Sequence, residues 1–180
     1  MNNISRRTQM IVKMAMMLAM IVVLSYLEHM LPPLPFLPPN VRLGLSNIVT
    51  MYTIFFLGRR YAFLLAVLKS GFVGITRGVI AGMLSLSGGL FSIAVVIILL
   101  ILFPDKITYL LLSIAGAVAH NFAQIVIASM IMSTALISFY WPVLIISGVI
   151  IGTVTGSLLR IVMPLMHRIY CRIEKEKREQ

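Results

Sequence analysis

Apolar residues fill this chain in six runs, separated by short polar or proline-bearing breaks. The runs cover about 10–31, 43–58, 61–80, 84–103, 107–133 and 141–163. Each is expected to be a helix, since a bilayer core takes roughly 20 apolar residues per helical span. The second and third are short for that purpose, and the fourth opens on a glycine-rich stretch. The expected breaks are 32–40, Arg59-Arg60, the region 78–89, Pro104-Asp105-Lys106 and a turn near Phe139. The stretch 32–39 carries Pro32, Pro33, Pro35, Pro38 and Pro39. Proline fixes φ and removes donors, so this segment is expected to be stiff and extended on the outer face, either as a spacer or as a cap over a cavity.

The fifth run is broken near its midpoint by His120, Asn121 and Gln124. At roughly 100° per residue these three fall within an arc of about 100° on a helix. Ser113 and Gly116 extend the same stripe, so one face is small and polar and the rest is greasy. Polar side chains at such depth must face protein or water. They either hydrogen-bond to neighbouring helices or line a binding site.

Composition places the whole chain in the membrane. It is 60% hydrophobic and 11% charged, with a mean hydropathy of +1.03, which excludes a soluble domain of 180 residues. The net charge of +10 does not argue for nucleic acid, because the basic residues flank the apolar runs. Six spans put both termini on one side. Every lysine and arginine then falls on that side except Arg42, Lys69 and Arg77, so the termini are expected in the cytoplasm. The first run is too long for a secretory signal and leads into the proline stretch, so it is read as a retained helix. The expected organisation is one six-helix domain over 1–166, multi-pass in a cell membrane, and a basic cytoplasmic tail over 167–180. Tyr140 and Trp141 fit an outer aromatic belt. The single cysteine, Cys171, lies in the tail and allows no intrachain disulfide.

With orientation set, the remaining polar residues acquire depths. Lys69 and His120 fall near the midplane, with Asn121 and Gln124 close to or above that level. Asn47 lies a turn below Arg42, which stands at the outer end of the second span with Arg77, Glu28 and His29 near the same surface. This outer half is expected to hold a substrate-binding pocket made of Glu28, Arg42, Asn47, Lys69, Arg77, His120, Asn121 and Gln124. Three cations against Glu28 favour an anionic or carboxylate-bearing ligand. Glu28 could instead pair with one cation while others snorkel. The three histidines, His29, His120 and His167, lie at different depths, so no metal site or cofactor is expected. Two small-residue patterns speak to packing: Ala15 and Ala19 in the first run, and a ladder of Gly148, Gly152 and Gly156 in the sixth, each allowing close helix approach.

The stretch Val41-Arg42-Leu43-Gly44-Leu45-Ser46-Asn47-Ile48-Val49-Thr50, then Phe56-Leu57-Gly58, Ser87-Gly88-Gly89 and Ala117-Val118-Ala119-His120-Asn121-Phe122-Ala123-Gln124, resembles a family of small bacterial membrane proteins. That family carries two labels, Gx transporter family and heptaprenyl diphosphate synthase component I. It is similar in turn to the substrate-binding S components of energy-coupling factor (ECF) transporters. The resemblance implies an all-α polytopic fold of six transmembrane helices with cytoplasmic termini. It also implies capture of a small solute at the outer face, and docking through an Ala-xxx-Ala pattern, matched by Ala15 and Ala19, onto a T subunit driven by two ATPases. Two other roles stay open: a non-transporting subunit of a quinone or flavin electron-transfer assembly, and an accessory component of heptaprenyl diphosphate synthesis.

Catalysis itself is not expected of this chain. Prenyl chain elongation needs clustered aspartates to hold Mg²⁺ and diphosphate. The acidic residues are Glu28, Asp105, Glu174, Glu176 and Glu179, with no Asp-Asp-x-x-Asp among them. No GxxxxGK[ST] loop is present for ATP. The orientation can be checked directly: a membrane-impermeant maleimide added to intact cells should leave Cys171 unlabelled, and label it once the cells are opened.

Overall fold

A computed structural model describes residues 3–30, 45–104, 107–132 and 136–179. Side chains are described throughout these stretches except at 3–7, 28, 29, 45, 132, 136–140, 162, 163 and 165–179. The described residues form six helices: α1 (Asn3–Met30), α2 (Leu45–Phe56), α3 (Arg59–Arg77), α4 (Val79–Leu102), α5 (Tyr109–Met132) and α6 (Leu136–Glu179). This is an all-α membrane protein. Stretches in α1, α4, α5 and α6 are each long and apolar enough to cross a bilayer. α3 is 19 residues long but carries Arg59, Arg60, Lys69 and Arg77, and α2 has only 12 residues, about 18 Å of rise.

Two boundaries differ from the sequence expectation, each for a physical reason. The region 78–89 is not a loop. Only Gly78 separates α3 from α4, at φ +95°, a conformation that glycine adopts without steric cost. The other glycines there lie inside α4, where they thin the helix for close contacts. Gly82 faces Gly74 across the hairpin so tightly that a Cβ on Gly82 would stand 2.8 Å from the Gly74 Cα. There is likewise no turn at Phe139, since α6 already begins at Leu136 and passes through Pro142. The helix runs on through the basic end of the chain: α6 is continuous for 44 residues, about 66 Å, roughly twice the hydrocarbon thickness.

Successive helices from α2 to α6 pack side by side, and α2 also touches α6, which closes a ring of five. Gly58, at φ +108°, turns the chain from α2 directly into α3 and puts Arg59 and Arg60 at an exposed corner. α1 lies outside the ring against α2 and α3. Its contact is a small cluster of Ile21, Val49 and Leu65, with Met14, Met17, Leu18 and Leu24 around it. Ala15 and Ala19 face away from that cluster and are exposed. The main core fills the ring, with Met51, Ala66, Ile93, Val96, Leu112 and Leu159 among its buried members.

The α5–α6 pair is the tightest seam. Gly148, Gly152 and Gly156 of α6 lie against Val118, Ile114 and Leu110 of α5. A Cβ at Gly152 would stand 2.5 Å from the Ile114 Cα, so backbone would have to shift. Gly152→Ala should therefore destabilise the protein by about 1–3 kcal/mol, the usual range for overpacking. Gly71→Ala is the control: nothing lies within 4 Å of the added Cβ, so it should be neutral or slightly stabilising in thermal melts in detergent.

Candidate functional site

The site grows from the contact between α2 and α3. The Gly58 corner sets the two helices side by side, so Ser46 and Asn47, at the start of α2, come level with Lys69 in the middle of α3. The Lys69 ammonium donates to Ser46 Oγ at 2.7 Å and reaches Asn47 Oδ1 at 3.5 Å. Ser46 is almost fully buried, at 2% exposure, so this bond is made inside the protein. Hydrogen bonds to a charged group contribute more than neutral ones.

Lys69 and Asn47 stand at the wall of a cavity enclosed by all five helices of the ring. Thr50 on α2, Ser85 and Ser92 on α4, Ser113 on α5 and Thr155 on α6 add five hydroxyls to its lining. Met51, Ile54, Ile93, Val96 and Leu159 supply apolar wall. The cavity is narrow, about 30 Å³, which is room for two or three waters. A larger occupant enters only if a lining side chain or helix moves aside.

The other residues expected in the pocket have distinct places. Arg77 donates to the Ser25 carbonyl at 2.8 Å, clipping the end of α3 to α1. Asn121 donates to the Leu144 carbonyl at 3.2 Å and reaches Ser147 Oγ at 3.5 Å, which ties α5 to α6. Gln124 reaches the Leu84 carbonyl of α4 at 3.5 Å. His120 lies flat against Gly88 of α4, where any Cβ would fall 2.7 Å from the ring, and its Nδ1 is buried with no hydrogen-bond partner among the described residues. None of these four lines the cavity. Arg42 and the Glu28 side chain lie outside the described residues, as does the proline stretch 32–39. The polar stripe of α5 thus divides: Ser113, Gly116 and Ala117 face the cavity, while His120 and Gln124 continue it against α4.

Apart from Ser113, which the polar stripe of the fifth run already included, the cavity hydroxyls are what sequence reading passed over. Serine and threonine are common in membrane helices because they can bond back to their own helix. Thr50, Thr53, Ser70 and Thr155 all do so. A usable signal was present on α4, where Ser85 and Ser92 stand seven residues apart on one face.

A sequence model of the family described as heptaprenyl diphosphate synthase component I matches residues 17–162. The chain belongs to that family. No curated protein and no solved structure matches the chain. The heptaprenyl diphosphate synthase component I match takes in α2 to α5, α6 as far as residue 162 and every cavity residue, as well as Ala19, and stops short of Ala15 and of the last part of α6.

Asn121 and Lys69 can be separated by measurement. Asn121→Ala removes an interhelical bond and should lower stability by about 0.5–1.7 kcal/mol, the range for such bonds in membranes. It should leave any ligand retained by the purified protein unchanged, as judged by thermal melts alongside native mass spectrometry.

Proposed function

We propose that this protein is a non-catalytic membrane subunit that binds a small anionic solute or precursor in the Lys69 cavity, entering from the outer side. One observation carries the reading: a lysine and five hydroxyls line one cavity between five helices whose core is otherwise apolar. Polar lining of this kind is costly in a membrane protein unless it holds water or a ligand. The ammonium at the wall favours a group of negative charge. The absence of an aspartate cluster from the sequence supports a binding role over catalysis.

In the S-component-like form of this reading, capture serves uptake. Ala15 and Ala19 then provide the docking stripe for a T subunit with its ATPases, and their exposure on α1 is compatible with that role. The family description favours a second form. The words "component I" speak of a partner component, so the chain would serve heptaprenyl diphosphate synthesis as the membrane-embedded half of a pair. Both forms share the cavity and differ in the partner.

Purification from native membranes in mild detergent, followed by native mass spectrometry, tests the reading. The wild-type protein should retain a small acidic molecule, and Lys69→Met should lose it, with an affinity loss of roughly 10- to 150-fold for a charge-assisted bond of about 1.5–3 kcal/mol. Co-purified membrane subunits with ATPases would favour uptake, and a co-purified synthase-like chain would favour the second form. A wild-type protein that carries nothing, with a Lys69→Met variant of unchanged properties, would sink the proposal.

A further inference from the structure

α6 outlasts the ring that it closes. It runs antiparallel to α5, with Gly152 against Ile114 and Gly156 against Leu110. α5 begins just beyond that contact, at Tyr109. The Gly58 corner is level with this start, since Phe55 packs edge-on against Tyr109 with ring centroids 5.4 Å apart. α4 joins α5 through the short corner 103–108. α2, α3, α4 and α5 therefore all turn back near the level of Ser157. α1 packs on α2 and α3 rather than on α6. The apolar span of α6 ends at Ile161 after 21 residues, about 32 Å of rise, which fills the hydrocarbon core. Residues 162–179 carry the helix about 27 Å further, on the side where Arg59 and Arg60 stand. Pro164 sits at this exit and withholds one backbone donor, yet the helix continues past it.

The sequence of this extension keeps a helical period. Val162, Met166, Ile169 and Ile173 follow at steps of four, three and four, and fall within an arc of about 60°. Arg168, Lys175 and Arg178 lie on the opposite side of the helix. An apolar stripe outside the bilayer marks a surface that something covers. The extension stands too far out for lipid. Ile169 and Ile173 lie about 12 and 18 Å beyond Ile161 along the helix, while the headgroup layer is only about 5–8 Å deep. A tilt of about 20° would shorten these heights by only about 6%. A second copy does not suit the stripe either. Two copies in one membrane meet in parallel. With the stripe at the a and d positions, Arg172 of one copy would face Lys177 of the other, and Glu176 would face Glu176. Both are like-charge pairs.

We infer that residues 162–179 of α6 form a docking post for a soluble protein on the basic side of the membrane, which lays an amphipathic helix of acidic character along Met166, Ile169 and Ile173. Charge gives the partner its sign. The extension carries Arg168, Arg172, Lys175, Lys177 and Arg178 against Glu174, Glu176 and Glu179. Carboxylates opposite Arg172 and Lys177 turn the contact that repels a second copy into two attractions. The post is one piece with the helix that brings Ile151, Thr155 and Leu159 to the cavity wall, so a docked partner holds that wall directly. The inference does not depend on the Lys69 reading.

The test begins in cells that make the full chain with benzoylphenylalanine in place of Tyr170, beside the stripe, or of Lys175 on the opposite side. Irradiation should join position 170 to one soluble polypeptide, through a peptide rich in acidic and apolar residues, and leave position 175 unjoined. That polypeptide is then purified and titrated onto the full chain in phosphatidylcholine nanodiscs. Ile173→Ser should weaken binding roughly ten- to hundredfold, the worth of one buried isoleucine. Arg172→Glu combined with Lys177→Glu should weaken it about tenfold or more at low salt, and less at high salt. Lys175→Ser should leave it unchanged. All these variants should keep the wild-type melting temperature, because the post stands clear of the ring. A fluorophore on Cys171 supplies a second readout: in nanodiscs containing phosphatidylglycerol, iodide in the water should quench it and brominated lipid should not. Quenching by brominated lipid would overturn the post in favour of a helix lying on the membrane. An adduct of twice the chain's mass would overturn it in favour of a second copy. No adduct at position 170, or binding that survives Ile173→Ser, would overturn it outright, and each of these results leaves the Lys69 reading standing.

Discussion

An ammonium group within the thickness of a bilayer cannot face hydrocarbon. That constraint at Lys69 governs how α2 and α3 are arranged. α3 alone would present its lysine to lipid on one face. α2 covers that face and offers Ser46 and Asn47 at the height of the charge. Within 12 residues it reaches from the Gly58 corner to the height of Lys69. Its second neighbour, α6, then closes the ring. A cavity at the centre follows from the geometry of five helices of unequal length around one charged side chain.

The two sides of the ring are built differently. On the α5–α6 side, glycine faces backbone at three successive turns, and Asn121 adds a hydrogen bond to the same seam. Such contacts resist sliding, because any displacement brings backbone into backbone. On the α2 side, contact is made through long side chains: Met14 and Met17 of α1 pack against the cluster around Val49, and Lys69 bridges to Ser46. Methionine adapts to shifted partners. The α5–α6 seam is the fixed wall of the cavity and α2 its adaptable one.

Much of this fold was legible in the sequence because hydropathy and charge asymmetry are strong signals in membrane proteins. The helices and the glycine ladder fall where those signals put them. The interruptions misled where glycine was read as loop: Gly82 and Gly88 sit inside α4 because Gly74 and the His120 ring come too close for any Cβ. The cavity was only half legible. Lys69 and Asn47 stood out as polar residues in greasy runs. Arg77 and Asn121 stood out equally, and the structure engages them with Ser25 and Leu144 instead. A polar side chain at depth announces that it needs a partner; it does not say whether the partner is a carbonyl across a helix seam or a ligand. The stripe on α5 could not show its division, because that depends on which neighbour, α4 or the cavity, covers each turn.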